Sequence, residues 1–383
     1  MKILHLADLH IGKIIYEQSL IEDQKYILNE VIKIIKNKKI EVVLISGDIY
    51  DRSIPTLEAV ELLNEFLNKL IKELNLKVFI ISGNHDSKER LNFGSKIFES
   101  DGLYIQTNYE GKIRKVTLQD SYGPINIYML PFIKPIDVKE YFEEQIITYD
   151  DAIKQIVKKE NIDEDERNII VAHQFVTSNA IIPETCESEI INIGGIDNVD
   201  ASNFEKFDYV ALGHIHGPQR IGRDTIRYSG TLLKYSFSEI NHNKSVVVID
   251  FKEKGNVNYE LVPIEPKRDM REIRGPIEKL LSEENYKDTN TDDYIRAIIT
   301  NEEAIYDPIG QIRKIYPNVL SLEVRNSKTE NINKELEKIE EMKEKSELEL
   351  FDDFYEFQLN KKMDEDKRQI IKDIFDGIKG GLN

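Results

Sequence analysis

The sequence predicts an α/β protein with a small α+β domain and a helical hairpin after the main domain. Two observations carry this prediction. Short β-branched runs alternate with amphipathic helical patterns up to about residue 262, which is typical of an α/β domain. The pattern then changes to a few short strand and helix segments, and finally to two amphipathic helices. A chain of 383 residues is also long enough for two or more domains.

Five apolar runs in the first part read as buried strands, and polar motifs follow each of them. The runs and motifs are 3–7 with Asp8 and His10, 42–46 with Asp48, 78–82 with Asn84, His85 and Asp86, 169–172 with His173, and 209–212 with His214 and His216. Ligands in open α/β sheets bind beyond the carboxyl ends of the strands. We therefore expect these side chains to meet in one place.

Helical spacing of apolar residues predicts a helix over 56–74. Pro263 and Pro266 indicate a domain boundary. A small module follows, with strands expected at 267–273, 293–299 and 320–324 and helices at 276–282 and 309–315. The predicted domains are therefore 1–265, a small domain at 266–327, a charged linker at 328–347 and a hairpin at 348–383.

The hairpin is too small to bury a core of its own, so it must dock on another surface. That surface belongs either to the first domain of this chain or to a partner protein. The apolar residues expected to dock are Leu350, Phe351, Phe354, Tyr355, Ile371, Ile374 and Phe375.

The residues that follow the strands have the chemistry of metal ligands. Imidazole, carboxylate and amide groups without a thiolate suit manganese, iron or zinc. The candidates are Asp8, His10, Asp48, Asn84, His173, His214 and His216. These are too many for one tetrahedral ion. They suffice for two divalent ions that share a carboxylate, and such a pair clamps a phosphoryl group during in-line displacement.

Composition sets compatible bounds. No apolar run approaches the roughly 20 residues that span a bilayer, and the first strand leaves no room for a signal peptide. The single cysteine, Cys186, fits a reducing cytoplasm and reads as a loop residue. His5 is expected in the core and His242 on the surface. The net charge of −18 argues against binding to DNA, but two bound divalent ions would attract phosphate locally.

The motifs resemble those of the calcineurin-like metallophosphoesterases. The matching fragments are Asp8-x-His10, Gly47-Asp48-x-x-Asp51-Arg52, Gly83-Asn84-His85-Asp86, Ala172-His173 and Gly213-His214-x-His216. The opening residues 1–12, the block 46–55, the block 228–232 and Glu239 are similar to the SbcD family of nuclease subunits. The resemblance implies a two-sheet α/β sandwich, two divalent ions with Mn²⁺ expected, and a DNA nuclease that acts in break processing with an SbcC-type ATPase.

The resemblance also implies roles for single residues. Asp8, His10, Asp48 and His216 would hold one ion, while Asp48, Asn84, His173 and His214 would hold the other, with Asp48 bridging. His85 would be a general acid rather than a ligand. The Asp51 carboxylate would accept a hydrogen bond from the other ring nitrogen of His85, and Arg52 would contact the scissile phosphate. Archaeal members carry histidine at the Asp51 position, so this chain departs from them.

The resemblance further implies three interaction surfaces. Residues 266–327 would face DNA, with Lys267, Arg268, Arg271 and Arg274 as phosphate contacts; the alternative for these four is a solvated edge strand. The hairpin would dock on the coiled-coil base of the ATPase. Helices 56–74 and 88–99 would form a homodimer interface. The protein would act in the cytoplasm on the nucleoid.

Two other functions stay open at this point. The Asp51-Arg52 pair is similar to that of protein phosphatases, which favours a phosphodiesterase or phosphatase acting on a small phosphoester. The chain beyond residue 262 favours the nuclease, because a small-molecule enzyme does not need these added segments. A third possibility is a scaffold with a vestigial site. The complete ligand set argues against it, since crowding these side chains without a cation costs stability.

Overall fold

A computed structural model describes residues 1–178, 181–189, 197–327, 329, 347–359 and 361–380. Contacts between residues divide the chain into two compact units. The first contains residues 1–272 and 292–295, and the second contains 273–291 and the residues from 296 onward. The predicted linker at 328–347 lies outside the described residues except at its last position and at 329.

The first unit is built on two six-stranded mixed sheets. The first sheet has the order β16-β15-β1-β4-β5-β6, in which β1, β4, β5 and β6 run parallel. Its strands are β1 Lys2–Leu6, β4 Val42–Ser46, β5 Lys77–Ile81, β6 Leu103–Gln106, β15 Ser245–Phe251 and β16 Val257–Pro263. Strand β15 pairs antiparallel with β1 and with β16, which is an edge strand of the sheet.

The second sheet has the order β13-β14-β12-β9-β8-β7, with β8, β9, β12 and β14 parallel. Its strands are β7 Arg114–Asp120, β8 Gly123–Leu130, β9 Arg167–His173, β12 Tyr209–Gly213, β13 Gln219–Ile221 and β14 Arg223–Tyr228. Two small ribbons pair β2 Ile14–Ile15 with β3 Gln18–Ser19 and β10 Val176–Thr177 with β11 Val199–Asp200.

The two sheets pack face to face and enclose an apolar core. Ile3, Leu44 and Phe79 of the first sheet belong to one buried cluster with Ile127 and Val171 of the second. The side chains on the other face of the second sheet are buried in a second apolar cluster, together with side chains of a neighbouring helix. The central strands are therefore buried on both faces, which explains their nearly continuous β-branched sequences. The α/β sandwich implied by the sequence resemblance is confirmed.

The helices of the first unit cover the sheets and connect the strands. They are α1 Ile21–Lys38, α2 Leu57–Asn68, α3 Lys88–Leu91, α4 Ser95–Phe98, α5 Pro135–Val138 and α6 Tyr149–Lys159. Helix α2 begins at the cap Thr56, as predicted, but a π-helical turn over Lys69–Glu73 replaces its last α-helical turn. The segment predicted at 88–99 is divided into α3 and α4, because Gly94 between them has a φ of 73°.

A three-stranded sheet follows, with the order β17-β18-β19. Its strands are β17 Met270–Gly275, β18 Tyr294–Ile299 and β19 Val319–Val324, and the short helices near them are α7 Ile277–Leu280, α8 Glu283–Tyr286 and α9 Pro308–Arg313. Two helices end the described chain, α10 Glu347–Leu359 and α11 Glu365–Gly380. The Phe351 and Phe375 rings pack 6.1 Å apart and Arg368 pairs with Asp352, so these helices form a hairpin.

None of the helices in the described part of the chain is both long enough and apolar enough to cross a membrane.

Candidate metal centre

The candidate ligands lie in the loops that leave five parallel strands, β1, β4, β5, β9 and β12. Asp8, His10, Asp48 and His214 all have positive φ angles, of 52°, 43°, 49° and 103°. Such angles are uncommon for residues other than glycine and persist only where the surrounding structure fixes them. The backbone is therefore bent sharply at the places where these side chains enter the site.

Asp48 lies at the centre of the group. Its Oδ2 is 3.4 Å from Nε2 of His173 and 3.7 Å from Nε2 of His10. Its Oδ1 accepts a hydrogen bond of 2.9 Å from the backbone N–H of His85. The carboxylate thus faces one histidine from each sheet, as a bridging ligand would.

Asn84 lies between His173 and a further histidine, His214, on one side of Asp48. Its Oδ1 lies 3.0 Å from Nε2 of His173 and 3.0 Å from Nδ1 of His214. The other ring nitrogen of His173, Nδ1, lies 2.7 Å from the carbonyl oxygen of Ser46. Since a carbonyl only accepts hydrogen bonds, Nδ1 carries a proton, and Nε2 is the ring nitrogen that faces Asn84 and Asp48.

His10 and His216 form the other side of the group. Their Nε2 atoms are 3.2 Å apart, and the Asp8 carboxylate completes a cluster with the two rings. Asp8 is held by hydrogen bonds from the backbone N–H of His214, at 2.9 and 3.2 Å. Every one of the predicted ligands therefore lies in one continuous group.

The electrostatics of this group fit a cation. Burial raises the pKa of the Asp8 carboxyl well above its ordinary value, and the nearby charge of Asp48 raises it further. Burial lowers the pKa of His10 well below its usual range and that of His214 to about 3, so both rings are neutral at pH 7. Neutral imidazoles beside two buried carboxylates form the donor set that divalent metals require, and a bound cation would offset the burial of the carboxylates.

The surroundings of His173 also favour a positive charge. Burial alone would lower its pKa, but the Asp48 carboxylate dominates and raises the pKa to about 9. Its Nε2 faces Asp48 and Asn84, where a metal ion would take the place of the proton.

Glycines allow the strand ends to approach each other this closely. A Cβ on Gly83 would overlap the Asp48 side chain, and one on Gly47 would overlap the His173 ring. A Cβ on Gly213 would overlap the carbonyl oxygen of Ser46. The glycines of the sequence motifs are thus required by the packing of the loops.

Comparisons with known proteins agree with this geometry. Residues 1–218 match the profile of the calcineurin-like phosphoesterases. The chain belongs to the calcineurin-like phosphoesterase family. It is 38% identical over 326 residues to the SbcD subunit of the nuclease SbcCD of Staphylococcus epidermidis, covering 84% of this chain and 85% of that protein. Residues 266–358 match the type 5 capsule protein repressor C-terminal domain. This phosphoesterase is therefore a metal-dependent hydrolase and a homologue of that nuclease subunit.

Solved structures are more distant. A dimetal phosphatase from Danio rerio is 12% identical, with a TM-score of 0.39 over 70% of this chain and 98% of that one. Phosphopantetheinyl hydrolase from Mycobacterium tuberculosis is 15% identical, with a TM-score of 0.34 over 59% of this chain and 87% of that one. Similarity at this level carries no argument about the substrate.

The prediction for Asp51 in this phosphoesterase is wrong in one respect. Nδ1 of His85 lies 3.0 Å from the backbone carbonyl oxygen of Asp51, not from its carboxylate. The carboxylate accepts a hydrogen bond of 2.8 Å from Nζ of Lys13 and lies 3.8 Å from Nδ1 of His10. Asp51 therefore orients His85 through its main chain, and its side chain faces Lys13 and His10. Sequence reasoning missed Lys13, although it closely follows the first motif.

A buried network behind His216 was also missed. Nδ1 of His216 lies 2.8 Å from Oγ of Ser188, which donates a hydrogen bond of 2.6 Å to Glu239. Burial would raise the pKa of Glu239, but the interactions with His216 and Lys244 lower it below its usual range. Lys244 donates to the same carboxylate at 2.6 Å. The only sequence signal was Glu239 itself, since Ser188 and Lys244 belong to no motif.

Asp86 has a structural role that the motif alone did not reveal. Its carboxylate accepts hydrogen bonds from the backbone N–H groups of Ile49, Tyr50 and Gly83. It therefore ties the loop after β4 to the loop after β5. Burial raises its pKa to about 6, and the charge of Asp48 contributes to this rise.

Two of the four predicted phosphate contacts have carboxylate partners. Arg268 makes hydrogen bonds of 2.9 and 2.6 Å with Asp23, and Arg271 makes one of 2.6 Å with Asp293. These interactions fit a role in holding the structure together. Arg274 is exposed, and Arg52 is 68% exposed beside Asp51.

The remaining histidines and the cysteine are outside the predicted ligand set. His5 is buried in the core between Tyr209 and Leu212, as predicted. The prediction for His242 is wrong, because its side chain is half-buried near Glu239. Cys186 lies in a loop, and burial raises the pKa of its thiol to about 12, so the thiol is protonated and unsuited to act as a nucleophile.

Proposed function

We propose that this phosphoesterase is a two-metal DNA nuclease, acting as an exonuclease on double-stranded ends and as an endonuclease on single strands and hairpins. The observation that carries the proposal is the convergence of seven ligand-type side chains around Asp48, at the ends of five strands. The homologous nuclease subunit of Staphylococcus epidermidis supports DNA as the substrate.

The proposed ligand sets are those expected from the sequence. Asp8, His10, Asp48 and His216 hold one ion, and Asn84, His173 and His214 hold the other with Asp48. Bound Mn²⁺ ions would supply the positive charge that activates water and neutralises the phosphodiester. Asp48 suits the bridging position because its carboxylate can face both ions at short range.

His85 is proposed to move the proton to the departing oxygen. Its Nδ1–H donates to the Asp51 carbonyl oxygen, so Nε2 is the nitrogen that can take up and release a proton. Its ring packs edge-on against His10, with the centroids 4.9 Å apart, which holds it beside the metal ligands. A positioned general acid of this kind contributes about 10²- to 10⁴-fold in rate.

Cations near the site favour an anionic polymer as substrate despite the net charge of −18. Lys13 and Arg52 both lie beside Asp51, within 2.8 and 3.6 Å. Lys267 and Arg274 are both exposed and are the proposed phosphate contacts on the segment after residue 265. Arg268 and Arg271 are held by carboxylates.

The partner is proposed to be an SbcC-type ATPase, in line with the name of the homologous subunit. Phe354 and Ile374 of the hairpin are 56% and 51% exposed, which suits docking in a groove on another protein. We also propose a homodimer through α2, α3 and α4, whose exposed apolar residues include Leu57, Phe93 and Ile97. Such a complex would work in the cytoplasm, on DNA of the nucleoid.

The test is hydrolysis by the purified full chain with Mn²⁺, Mg²⁺ or Zn²⁺, with and without the ATPase. The substrates are a 3′-labelled duplex, a DNA hairpin, a single strand and bis-p-nitrophenyl phosphate. The proposal expects metal-dependent cutting of DNA that chelation by EDTA abolishes. Rapid turnover of the small ester with no cutting of any DNA would favour a small-molecule phosphodiesterase instead. Failure to bind divalent metal at all would contradict both.

A further inference from the structure

Two pairs of adjacent residues connect the loop 8–12 with the segment 268–269. The first pair is Asp23 and Gln24 on α1, and the second is Lys234 and Tyr235 after β14. In each pair one residue contacts the loop and its neighbour contacts the segment.

Gln24 contacts the loop at both of its ends. Its Oε1 accepts a hydrogen bond of 2.8 Å from the backbone N–H of Gly12. Its Nε2 donates to the carbonyl oxygens of His10, at 2.7 Å, and Leu9, at 3.3 Å. The side chain is 2% exposed, and the loop it holds contains two residues other than glycine with positive φ. Gln24 therefore supplies part of the constraint that such a strained loop requires.

Tyr235 reinforces the same loop. Its hydroxyl donates a hydrogen bond of 2.7 Å to the carbonyl oxygen of Leu9 and accepts one of 3.2 Å from Nε2 of Gln24. Its ring packs edge-on against those of His10 and His216, with centroids 5.7 and 6.0 Å away. Two buried side chains thus meet at the backbone that positions His10.

The neighbours of these two residues contact the segment. Asp23 is 1% exposed and accepts hydrogen bonds from Arg268, at 2.9 and 2.6 Å, and from Tyr294, at 2.8 Å. Nζ of Lys234 lies 2.9 Å from the carboxylate of Asp269. A cavity of about 230 Å³ borders Asp23, Lys234, Arg268 and Asp269, so the segment has room to shift.

We propose that Asp23-Gln24 and Lys234-Tyr235 couple the segment 268–269 to the metal-binding loop, with Gln24 and Tyr235 as positioning residues. The inference rests on the proposed function, because that function makes the loop a metal-binding one. When the segment shifts, it moves Asp23 and Lys234, because it is bonded to both. These residues move their backbone neighbours Gln24 and Tyr235, which contact the loop. The metal centre is thereby made sensitive to the part of the chain that leads into β17.

Hydrogen exchange of the metal-free full chain tests the coupling directly. The variants are Asp269→Asn and Arg268→Gln, neither of which contacts the loop, and exchange is followed in a peptide covering residues 8–15. We expect about 2- to 30-fold faster exchange there than in the wild type. The matched control is Asp120→Asn, which removes an Asp–Arg pair at the opposite end of β9. Rates in the loop equal to those of the control would overturn the proposal.

A double variant tests the route. If Arg268 acts through Gln24, the double variant Gln24→Glu/Arg268→Gln exchanges no faster in the loop than Gln24→Glu alone. Multiplied effects would overturn this route. Asp269→Asn keeps the test decisive if Arg268→Gln does not fold, because Asp269 is 40% exposed and Lys234 keeps its hydrogen bond of 2.9 Å to the carbonyl oxygen of Ile240.

Measurements of metal binding and of DNA cleavage distinguish a failure of this inference from a failure of the proposed function. Gln24→Glu should weaken Mn²⁺ binding about 10- to 100-fold in calorimetric titration, as loss of outer-shell partners commonly does. Exchange needs neither metal nor DNA, so it decides the coupling even if the wild type fails to cut DNA. Failure to cut would overturn only the nuclease proposal.

Discussion

His85 is the residue through which the proposed chemistry is tested most directly. It lies beside His10 but is not in the proposed ligand sets, and its Nδ1 is occupied by the Asp51 carbonyl oxygen. His85→Gln should therefore lower the rate of hydrolysis by about 10²- to 10⁴-fold. Calorimetry should still find two Mn²⁺ ions bound, because glutamine removes a proton donor and not a ligand.

His242→Gln is the matched control for that variant. It removes a half-buried imidazole outside the proposed ligand sets and should leave the rate within a few-fold of the wild type. If His85→Gln lost an ion together with activity, His85 would be a ligand and its role as an acid would be wrong.

His5 gives a prediction about stability and pH. Burial lowers its pKa to about 3, while an unfolded histidine has a pKa of about 6.5. Between these values the unfolded state binds more protons, so the free energy of unfolding increases with pH in this window and is lost as the pH falls. We expect His5 to contribute a slope of about 1.4 kcal/mol per pH unit.

The measurement is urea unfolding of the metal-free protein at pH 5.0 and 6.5. His5→Gln removes the titrating group, so the wild type should lose about 2 kcal/mol more than this variant between the two pH values. His242→Gln should retain most of the wild-type slope. An unchanged slope in His5→Gln would show that His5 does not stay neutral in the folded protein.

At the scale of elements, the closeness of β4 and β12 determines where His173 lies. The carbonyl oxygen of Ser46 at the end of β4 accepts from His173, and a Cβ on Gly213 would overlap that oxygen. Gly213→Ala should therefore separate the strand ends, at a cost of about 1–3 kcal/mol, and weaken Mn²⁺ binding. Thermal unfolding and calorimetric titration measure the two effects.

Gly217→Ala is the control for this packing argument. A Cβ at Gly217 would meet the His242 ring at 3.3 Å and Nε2 of Gln219 at 3.5 Å, and these side chains can move aside more easily than a backbone carbonyl. If both variants bound Mn²⁺ like the wild type, close approach of the strand ends would not be needed for the site.

The sequence predicted which side chains meet around Asp48, because each one lies at or shortly after the end of an apolar run. That rule depends on local spacing, so it works without knowledge of the sheet order. It could not reveal Ser188, Lys244 or Gln24, because their contacts depend on how the loops fold together. Ser188 contacts His216 and Glu239, 28 and 51 residues away, and Lys244 contacts Glu239, 5 residues away. Gln24 contacts Gly12 and His10, 12 and 14 residues away.

The element boundaries show the same limit. The resemblance implied one helix over residues 88–99, but Gly94 adopts a left-handed conformation that divides the segment into α3 and α4. The resemblance implied that Arg268 and Arg271 contact phosphate. Their carboxylate partners, Asp23 and Asp293, are 245 and 22 residues away, beyond any local pattern.

At the scale of the whole molecule, the proposed dimer has a surface that can be tested. Leu57 in α2, Phe93 just before α4 and Ile97 in α4 are large apolar side chains that are 70%, 84% and 75% exposed. Leu57→Glu/Ile97→Glu should convert a dimer to a monomer in sedimentation equilibrium, because charge is costly to bury in an interface. Ile182→Glu alters a residue that is 63% exposed in the loop after β10 and should have no effect. A monomeric wild type would contradict the proposed dimer.

The hairpin tests the proposed partner, because its two helices already pack on each other and still leave apolar groups exposed. Phe351 and Phe375 hold α10 and α11 together, while Phe354 and Ile374 remain exposed. Phe354→Asp/Ile374→Asp should therefore weaken binding of the SbcC-type ATPase by about 100-fold or more, as loss of central apolar contacts does in other interfaces. Cutting of single-stranded DNA without the ATPase should be unchanged, since the metal centre lies in the first unit. Lys372→Glu, on the same helix, is the control for charge alone. If the double variant bound the ATPase as tightly as the control, the hairpin would not be the docking element.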